Sequence, residues 1–293
     1  MTKDRRTKTQ RQARGGEAPS WAQLLVDAVR VPGRILAAYS AFHEYSVGNQ
    51  LAAYFQCVSR GLPLGPLGTY RQWAERGRQV KRGEKAIVLC VPRTVKARGP
   101  PKDEEVATEE PVASDDGARV AGETGSFVVF SWQPRWFVLS QTEGAAFVLP
   151  EVPAWDRDRA LAALGISMIP FGHLDGNVQG YAEGRRIAVN PFAALPLKTL
   201  FHELGHALLH QEYGPREFGV VLERYIREAE AEAVALLCVE ALGLPGVEFA
   251  RGYIQAWLGA GMDFPERSAQ RIIAAADRII RAGTTGAAGR TAA

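Results

Sequence analysis

The stretch Thr199 to His210 places His202-Glu203-x-x-His206 inside an apolar run of helical length made by Leu200, Phe201, Leu204, Ala207, Leu208 and Leu209. On an α-helix, side chains four apart lie on one face, about 6 Å apart along the axis. Two imidazoles so placed can share one metal ion. Glu203, one position beyond His202, then lies beside the open coordination position, where it can take a proton from water. Without partners, ionisable groups in a buried helix are costly, so this spacing points to a metal rather than to core packing. The helix must therefore pack against an element that completes the ligand set.

His210 continues the four-residue series but lies about 12 Å from His202 along a straight helix. It reads as a helix-end histidine facing the last carbonyls. The remaining candidates are acids of the next helix, in Arg227-Glu-Ala-Glu-Ala-Glu-Ala-Val-Ala235. Glu228 and Glu232 share a face, whereas Glu230 points about 200° away from Glu228 and reads as a solvated acid. The expectation is one Zn²⁺ held by His202, His206 and Glu228, with Glu232 orienting a ligating imidazole. Glu203 would act as base and then acid in metal-assisted hydrolysis, with Tyr181 and His173 as candidate helpers at the oxyanion.

The chain has 293 residues, enough for two ordinary domains. No apolar run approaches the roughly 20 residues of a membrane span, and the polar N-terminus has no signal-peptide core. Cys57, Cys90 and Cys238 are scattered, which fits reduced thiols in a cytoplasmic protein. The formal net charge of +3 hides an asymmetry. Residues 1–100 carry 18 Lys and Arg against 6 Asp and Glu, while the remainder carries 17 against 26. Such a split suggests a basic module for a polyanion joined to a module with other work.

The basic half contains Gly68-Thr-Tyr-Arg-Gln-Trp73 and Gly77-Arg-Gln-Val-Lys-Arg-Gly-Glu-Lys85, with six bases over residues 68–85 when Arg76 between them is counted. Thr69, Tyr70, Gln72, Trp73, Arg78, Lys81, Arg82 and Lys85 make a candidate surface for single-stranded nucleic acid. Rings stack on unpaired bases and cations neutralise phosphates. A soluble basic turn with Trp73 in the core explains these residues equally well; the charge asymmetry favours nucleic acid.

Residues 1–19 read as a mobile arm. Helices are predicted from a Ser20 N-cap, over Val47–Arg60 with Gly61 as stop, and over Thr69–Arg76. Strands are predicted at Ala86–Val91, Ser126–Phe130 and Arg135–Leu139, with the acidic, flexible stretch 97–125 as a long hairpin connection. Leu149–Pro153 reads as the interdomain linker. Beyond it come a helix at Asp156–Leu164 closed by Gly165, a hairpin of Val178–Tyr181 and Arg186–Val189 turning at Glu183-Gly184, and the metal helix from Pro196. A long helix over Gly219–Leu242 follows the loop at Tyr213–Pro215. The last helix, Pro265–Arg281, is capped by Asp263. The expected division is 20–149 and 150–282, with a disordered tail from 283. The fold class is α+β: a basic α+β domain, then a mostly helical domain with a small antiparallel sheet.

Both halves resemble a known family. Tyr45-Ser-Val-Gly-Asn-Gln-Leu51, Gly68-Thr-Tyr-Arg-Gln-Trp73, Val80-Lys-Arg-Gly-Glu-Lys85 and Phe137-Val-Leu-Ser-Gln-Thr-Glu-Gly144 are similar to the single-stranded-DNA-binding domain of ArdC-type antirestriction proteins. The resemblance adds Asn49 to the candidate DNA contacts. Phe201–His206 and Arg227–Glu232 resemble that family's zincin-like metallopeptidase domain and the related ImmA/IrrE peptidases, whose metal-binding Glu falls on Glu228. The acidic stretch 97–125 is not part of the family pattern. The resemblance implies a protein of mobile elements that coats incoming single-stranded DNA against host restriction. A protein substrate or restriction component is a further expected partner, and a membrane is not. Two rivals stand beside this reading: a regulatory zinc protease that cleaves a DNA-bound repressor, and a DNA-coating protein whose zinc is structural.

Overall fold

The computed structural model describes residues 19–96, 126–173, 177–210, 224–261 and 263–284. The arm up to residue 18, the acidic stretch 97–125, the loop at Tyr213–Pro215 and the tail from 285 lie outside the described residues. The architecture is α+β. No described helix is long and apolar enough to cross a membrane. The three cysteines are unpaired.

Three helices open the chain: α1 (Trp21–Arg30), α2 (Arg34–Phe42) and α3 (Val47–Ser59). Ser20 caps α1 by accepting from the Gln23 N–H, and Leu24, Leu25 and Ala28 are buried as their spacing predicts. Then follow β1 (Leu67–Thr69), α4 (Tyr70–Glu75), β2 (Arg78–Val80), β3 (Ile87–Lys96), β4 (Ser126–Val138) and β5 (Thr142–Gly144). One antiparallel sheet has the order β1-β4-β3, and β2 pairs with β5. Lys96 pairs with Ser126, so residues 97–125 join two strands of one hairpin. The two strands expected at 126–130 and 135–139 are a single β4. The chain passes Pro134 through a register shift at Ile87/Val88, and such a bulge lets a sheet accept a proline.

Strand β3 is a sheet edge, and α3 lies along it. Asn49 donates to the Cys90 carbonyl (2.9 Å) and accepts from the Cys90 N–H (2.8 Å). Gln56 does the same for Val88, at 2.8 and 2.9 Å. Two side-chain amides thus occupy edge groups that would otherwise invite another strand.

The second half begins with α5 (Arg157–Leu164), capped by Asp156 and closed by Gly165 at φ 64°. Next come β6 (Ser167–Met168), β7 (Gly180–Glu183) and β8 (Arg186–Val189), in the order β6-β8-β7. The β7–β8 hairpin turns at Gly184, φ 64°, where a glycine avoids left-handed strain. Four helices follow among the described residues: α6 (Pro196–Leu209), α7 (Arg224–Ala241), α8 (Val247–Gly259) and α9 (Glu266–Gly283). Neither α2 nor α8 was anticipated. Each starts after a left-handed glycine, Gly33 or Gly246, with no side-chain cap of its own, so the usual start signal is missing. Helix α9 starts after Pro265, not at an Asp263 cap.

The larger apolar core joins Leu25, Ile35 and Leu51 of the first helices to Phe201, Leu204, Val234, Leu237, Ile272 and Ile279. A smaller one, with Phe42, Cys57, Leu67, Ile87, Leu89 and Val138, lies between α3 and the β1-β4-β3 sheet. Polar contacts follow the same path. Glu266 of α9 accepts from the Trp21 N–H (2.8 Å), the Ala22 N–H (2.9 Å) and the Ser20 hydroxyl (2.7 Å). Glu240 of α7 accepts from the Ile35 N–H of α2 (3.3 Å), and Asp277 of α9 from the Val47 N–H of α3 (2.9 Å). A carboxylate at a helix N-terminus satisfies an orphan donor and meets the positive end of the dipole. Each of the first three helices therefore takes its anionic cap from the C-terminal half. Arg251 of α8 closes the other end of α1 on the Val29 carbonyl and pairs with Glu240.

Burial works against the Glu266 charge, but the bonds from Ala22, Ser20 and Trp21 win and hold its carboxyl below the ordinary carboxylate range. A lowered folded pKa adds stability above the unfolded value, lost as pH falls through the folded one. Glu266→Ala is expected to cost about 0.5–2 kcal/mol at pH 7, as a lost cap does. In thermal melts, the gap to wild type should narrow as pH falls below about 4.3.

Candidate functional site

The site is built where α6 and α7 touch. A Cβ on Gly205 would lie 3.0 Å from the Ala231 Cα, so the absent side chain sets how close the two helices come. On the other flank of α6, a Cβ on Gly180 would lie 2.8 Å from Thr199 Cγ2 and 3.0 Å from Glu203 Cγ. This lets β7 lie directly against the motif. Between them is a cleft of about 690 Å³, lined among others by Gly180, Tyr181, Lys198, Glu203, Arg227 and Glu228.

His202, His206 and Glu228 each turn a ligand atom to one point, with all three atoms within 4.8 Å of one another. His202 Nε2 lies 3.0 Å from His206 Nε2, and Glu228 Oε2 lies 3.3 and 3.4 Å from those two atoms. Ligands about 2.0–2.1 Å from a tetrahedral ion are separated by about 3.4 Å, so this triangle fits a divalent metal. Two imidazoles and one carboxylate suit zinc and its first-row neighbours.

Glu232 meets His202 Nδ1 at 2.8 Å and pairs with Lys198 at 2.6 Å. Lys198 was missed from the sequence, although it stands four residues before His202 on the same helical face. Burial disfavours charge on His202, but the bonds to Glu228 and Glu232 outweigh it and raise its pKa to about 9. The bonds from His202 and His206 hold Glu228 far below the usual carboxylate range. Glu203 is buried, and burial raises its pKa against the pull of both histidines. Tyr181 lines the cleft and donates its hydroxyl to the Pro170 carbonyl at 3.4 Å, with the His173 ring edge-on at 4.8 Å.

Two expectations are corrected. Glu230 is not solvated: it is 1% exposed, because α9 covers that side of α7. His210 does not face the helix-end carbonyls. It meets Glu230 through Nε2 (2.9 Å) and His206 through Nδ1 (2.9 Å). Burial keeps its pKa below the ordinary value. Neither contact is legible before α9 and α7 are placed.

The candidate nucleic-acid residues divide by exposure. Asn49 is a correction, since its amide is spent on the β3 edge and it is buried. Trp73 is another: it is 0% exposed and donates its indole N–H to the Phe137 carbonyl, so it offers no face to a base. Thr69 and Gln72 form the capping box of α4. Arg78 ties β2 to β5 through Thr142 Oγ1 (2.9 Å) and the Thr142 carbonyl (3.1 Å). Tyr70, Lys81, Arg82 and Lys85 are exposed. The loop that carries these cations is held from below. Gln141, fully buried, donates to Glu84 (2.8 Å) and to the Lys85 carbonyl (2.9 Å), and Arg60 reaches the Ala86 carbonyl at 3.2 Å. Gln141 was not singled out from the sequence, since a buried amide in a polar stretch leaves no periodic signal.

Residues 20–130 match the family model described as the N-terminal domain of anti-restriction factor ArdC. Two crystal structures of the antirestriction ArdC protein from plasmid R388 are similar to the chain. The metal-free one is 20% identical, with a TM-score of 0.48 over 90% of this chain and 94% of that one. The Mn(II)-bound one is 19% identical, with a TM-score of 0.49 over 92% and 100%. No curated protein matches the chain.

Binding to the folded state alone raises stability by about 4 kcal/mol at a thousandfold excess over Kd. Zn²⁺ or Mn²⁺ should therefore raise the melting temperature of the wild-type chain. His206→Ala should abolish that shift, measured with and without chelator.

Proposed function

We propose, from the match of residues 20–130 to the ArdC N-terminal domain model, that this chain is an antirestriction protein that binds single-stranded DNA through that region. In this reading it protects incoming mobile-element DNA from host restriction, and residues 150–282 work as a zinc metallopeptidase-type unit. The match over residues 20–130 is the observation that carries the reading. The exposed cations Lys81, Arg82 and Lys85 and the exposed ring of Tyr70 support it, since they combine phosphate neutralisation with a stacking platform. Residues 20–149 and 150–282 are functional units laid over a shared core.

For the second unit, His202, His206 and Glu228 would hold the ion. A bound divalent ion supplies polarisation of a carbonyl and a more acidic water. Glu203, in the same cleft, takes the proton of the attacking water and passes it to the leaving amine. Glu232 and Lys198 hold the His202 ring in place. Strand β7 supports a peptide as substrate. It is an edge strand beside Glu203, and an edge offers an extended backbone its unpaired N–H and C=O groups. Among the described residues three candidate ligands converge beside the cleft, which suits a catalytic site better than a structural one, since four protein ligands usually close the latter.

Two experiments test these claims. A single-stranded oligonucleotide should bind the full chain, with log Kobs falling by about 0.7 per neutralised phosphate per decade of salt. Tyr70→Ala and Arg82→Ala/Lys85→Ala should weaken binding without moving the melting temperature. Equal or tighter binding of duplex would sink the single-strand claim. Glu203→Gln, assayed for protection of DNA from restriction, decides whether catalysis is used. Lost protection with intact metal and DNA binding supports the enzymatic reading; full protection removes it and leaves a DNA-coating protein.

A further inference from the structure

We infer that His210, Glu230 and Ser268 form a positioning relay that fixes the ring orientation and tautomer of His206, resting on the metal-centre reading above. His206 Nε2 points into the ligand triangle, and its Nδ1 lies 2.9 Å from His210 Nδ1. His210 Nε2 lies 2.9 Å from Glu230 Oε2, and the Ser268 hydroxyl donates to Glu230 Oε1. Arg271 reaches the Leu209 carbonyl and stands 4.0 Å from Glu230 Oε1, closing the far end of the chain. The His210 and Glu230 side chains are 7% and 1% exposed, so water does not compete for these bonds.

The donor and acceptor roles follow from one constraint. A carboxylate only accepts, so the proton between Glu230 and His210 belongs to His210 Nε2. Neutral His210 then has its lone pair on Nδ1 and accepts from His206, whose proton must sit on Nδ1. The lone pair of His206 is left on Nε2, aimed at the metal position. Run in the other direction, the chain would set a ring lone pair against the carboxylate and a proton where the ion belongs. The two ligating imidazoles are therefore supported differently. His202 donates straight to Glu232, whereas His206 is held through a second imidazole. Partners of this kind fix tautomer and ring orientation, and their loss typically weakens metal binding about 10- to 100-fold.

The test uses the full-length chain, Zn²⁺ competition against a chromogenic chelator, and the visible absorption of the Co²⁺-loaded protein. His210→Leu alone strands Glu230 and risks unfolding, so the decisive variant is His210→Leu/Glu230→Leu/Ser268→Ala, which removes the buried carboxylate and hydroxyl together with the imidazole and leaves His206 Nδ1 without its partner. It is expected to keep the wild-type circular dichroism and melting temperature without metal, to bind Zn²⁺ about tenfold or more weakly, and to shift the Co²⁺ bands. His210→Gln keeps the relay, accepting through Oε1 and donating through Nε2, and should recover most of the affinity. Wild-type affinity and spectrum in the folded triple variant overturn the relay, as does a Gln variant no better than the apolar one. No Zn²⁺ uptake by the wild-type chain would instead overturn the metal-centre reading, and the relay with it.

Discussion

Helix α7 is buried at every position from Ala229 to Ala241, yet it carries Glu230, Glu232 and Glu240 inside that stretch. Buried carboxylates are tolerable only when each finds a partner. The surroundings of α7 are arranged around that demand. Glu232 takes His202 and Lys198 from α6, Glu230 takes His210 at the C-cap of α6 and Ser268 from α9, and Glu240 takes Arg251 from α8 and the Ile35 N–H of α2. One helix thus supports the His202–His206–Glu228 cluster at one end and holds the start of α2 at the other. The run of small residues between its acids, Ala229, Ala231, Ala233 and Ala235, lets the neighbours approach closely enough to reach them.

The same logic binds the two halves of the chain. Three helix N-termini near the start of the sequence are completed by Glu240, Asp277 and Glu266 from its end. Their apolar faces share a core with α6, α7 and α9. The basic surface and the His202–His206–Glu228 cluster therefore stand on one packed body, with the sheet and its smaller core as an outgrowth on α3.

Much of the candidate site is legible in order along the chain. The four-residue spacing of His202 and His206 and the shared face of Glu228 and Glu232 follow from helix geometry alone, so local periodicity places them correctly relative to one another. The candidate nucleic-acid residues are harder to read, because composition reports side-chain type and not direction. Tyr70 and Trp73 sit three residues apart in the same short helix. One faces solvent, while the other is sealed by Gly68 and the Phe137 carbonyl.

By itself the sequence determined the His-Glu-x-x-His helix, the acid pair opposite it, the pairing of the strands that flank residues 97–125 and the basic character of the first hundred residues. Each is written in spacing or charge within a short window. Only the tertiary structure decided that Asn49 guards a strand edge, that Glu230 is buried against His210, and that α2 exists although it lacks a cap of its own. These depend on groups 41, 20 and 205 residues away. A buried polar group is satisfied by whatever the fold brings to it, and no local pattern records which partner that is.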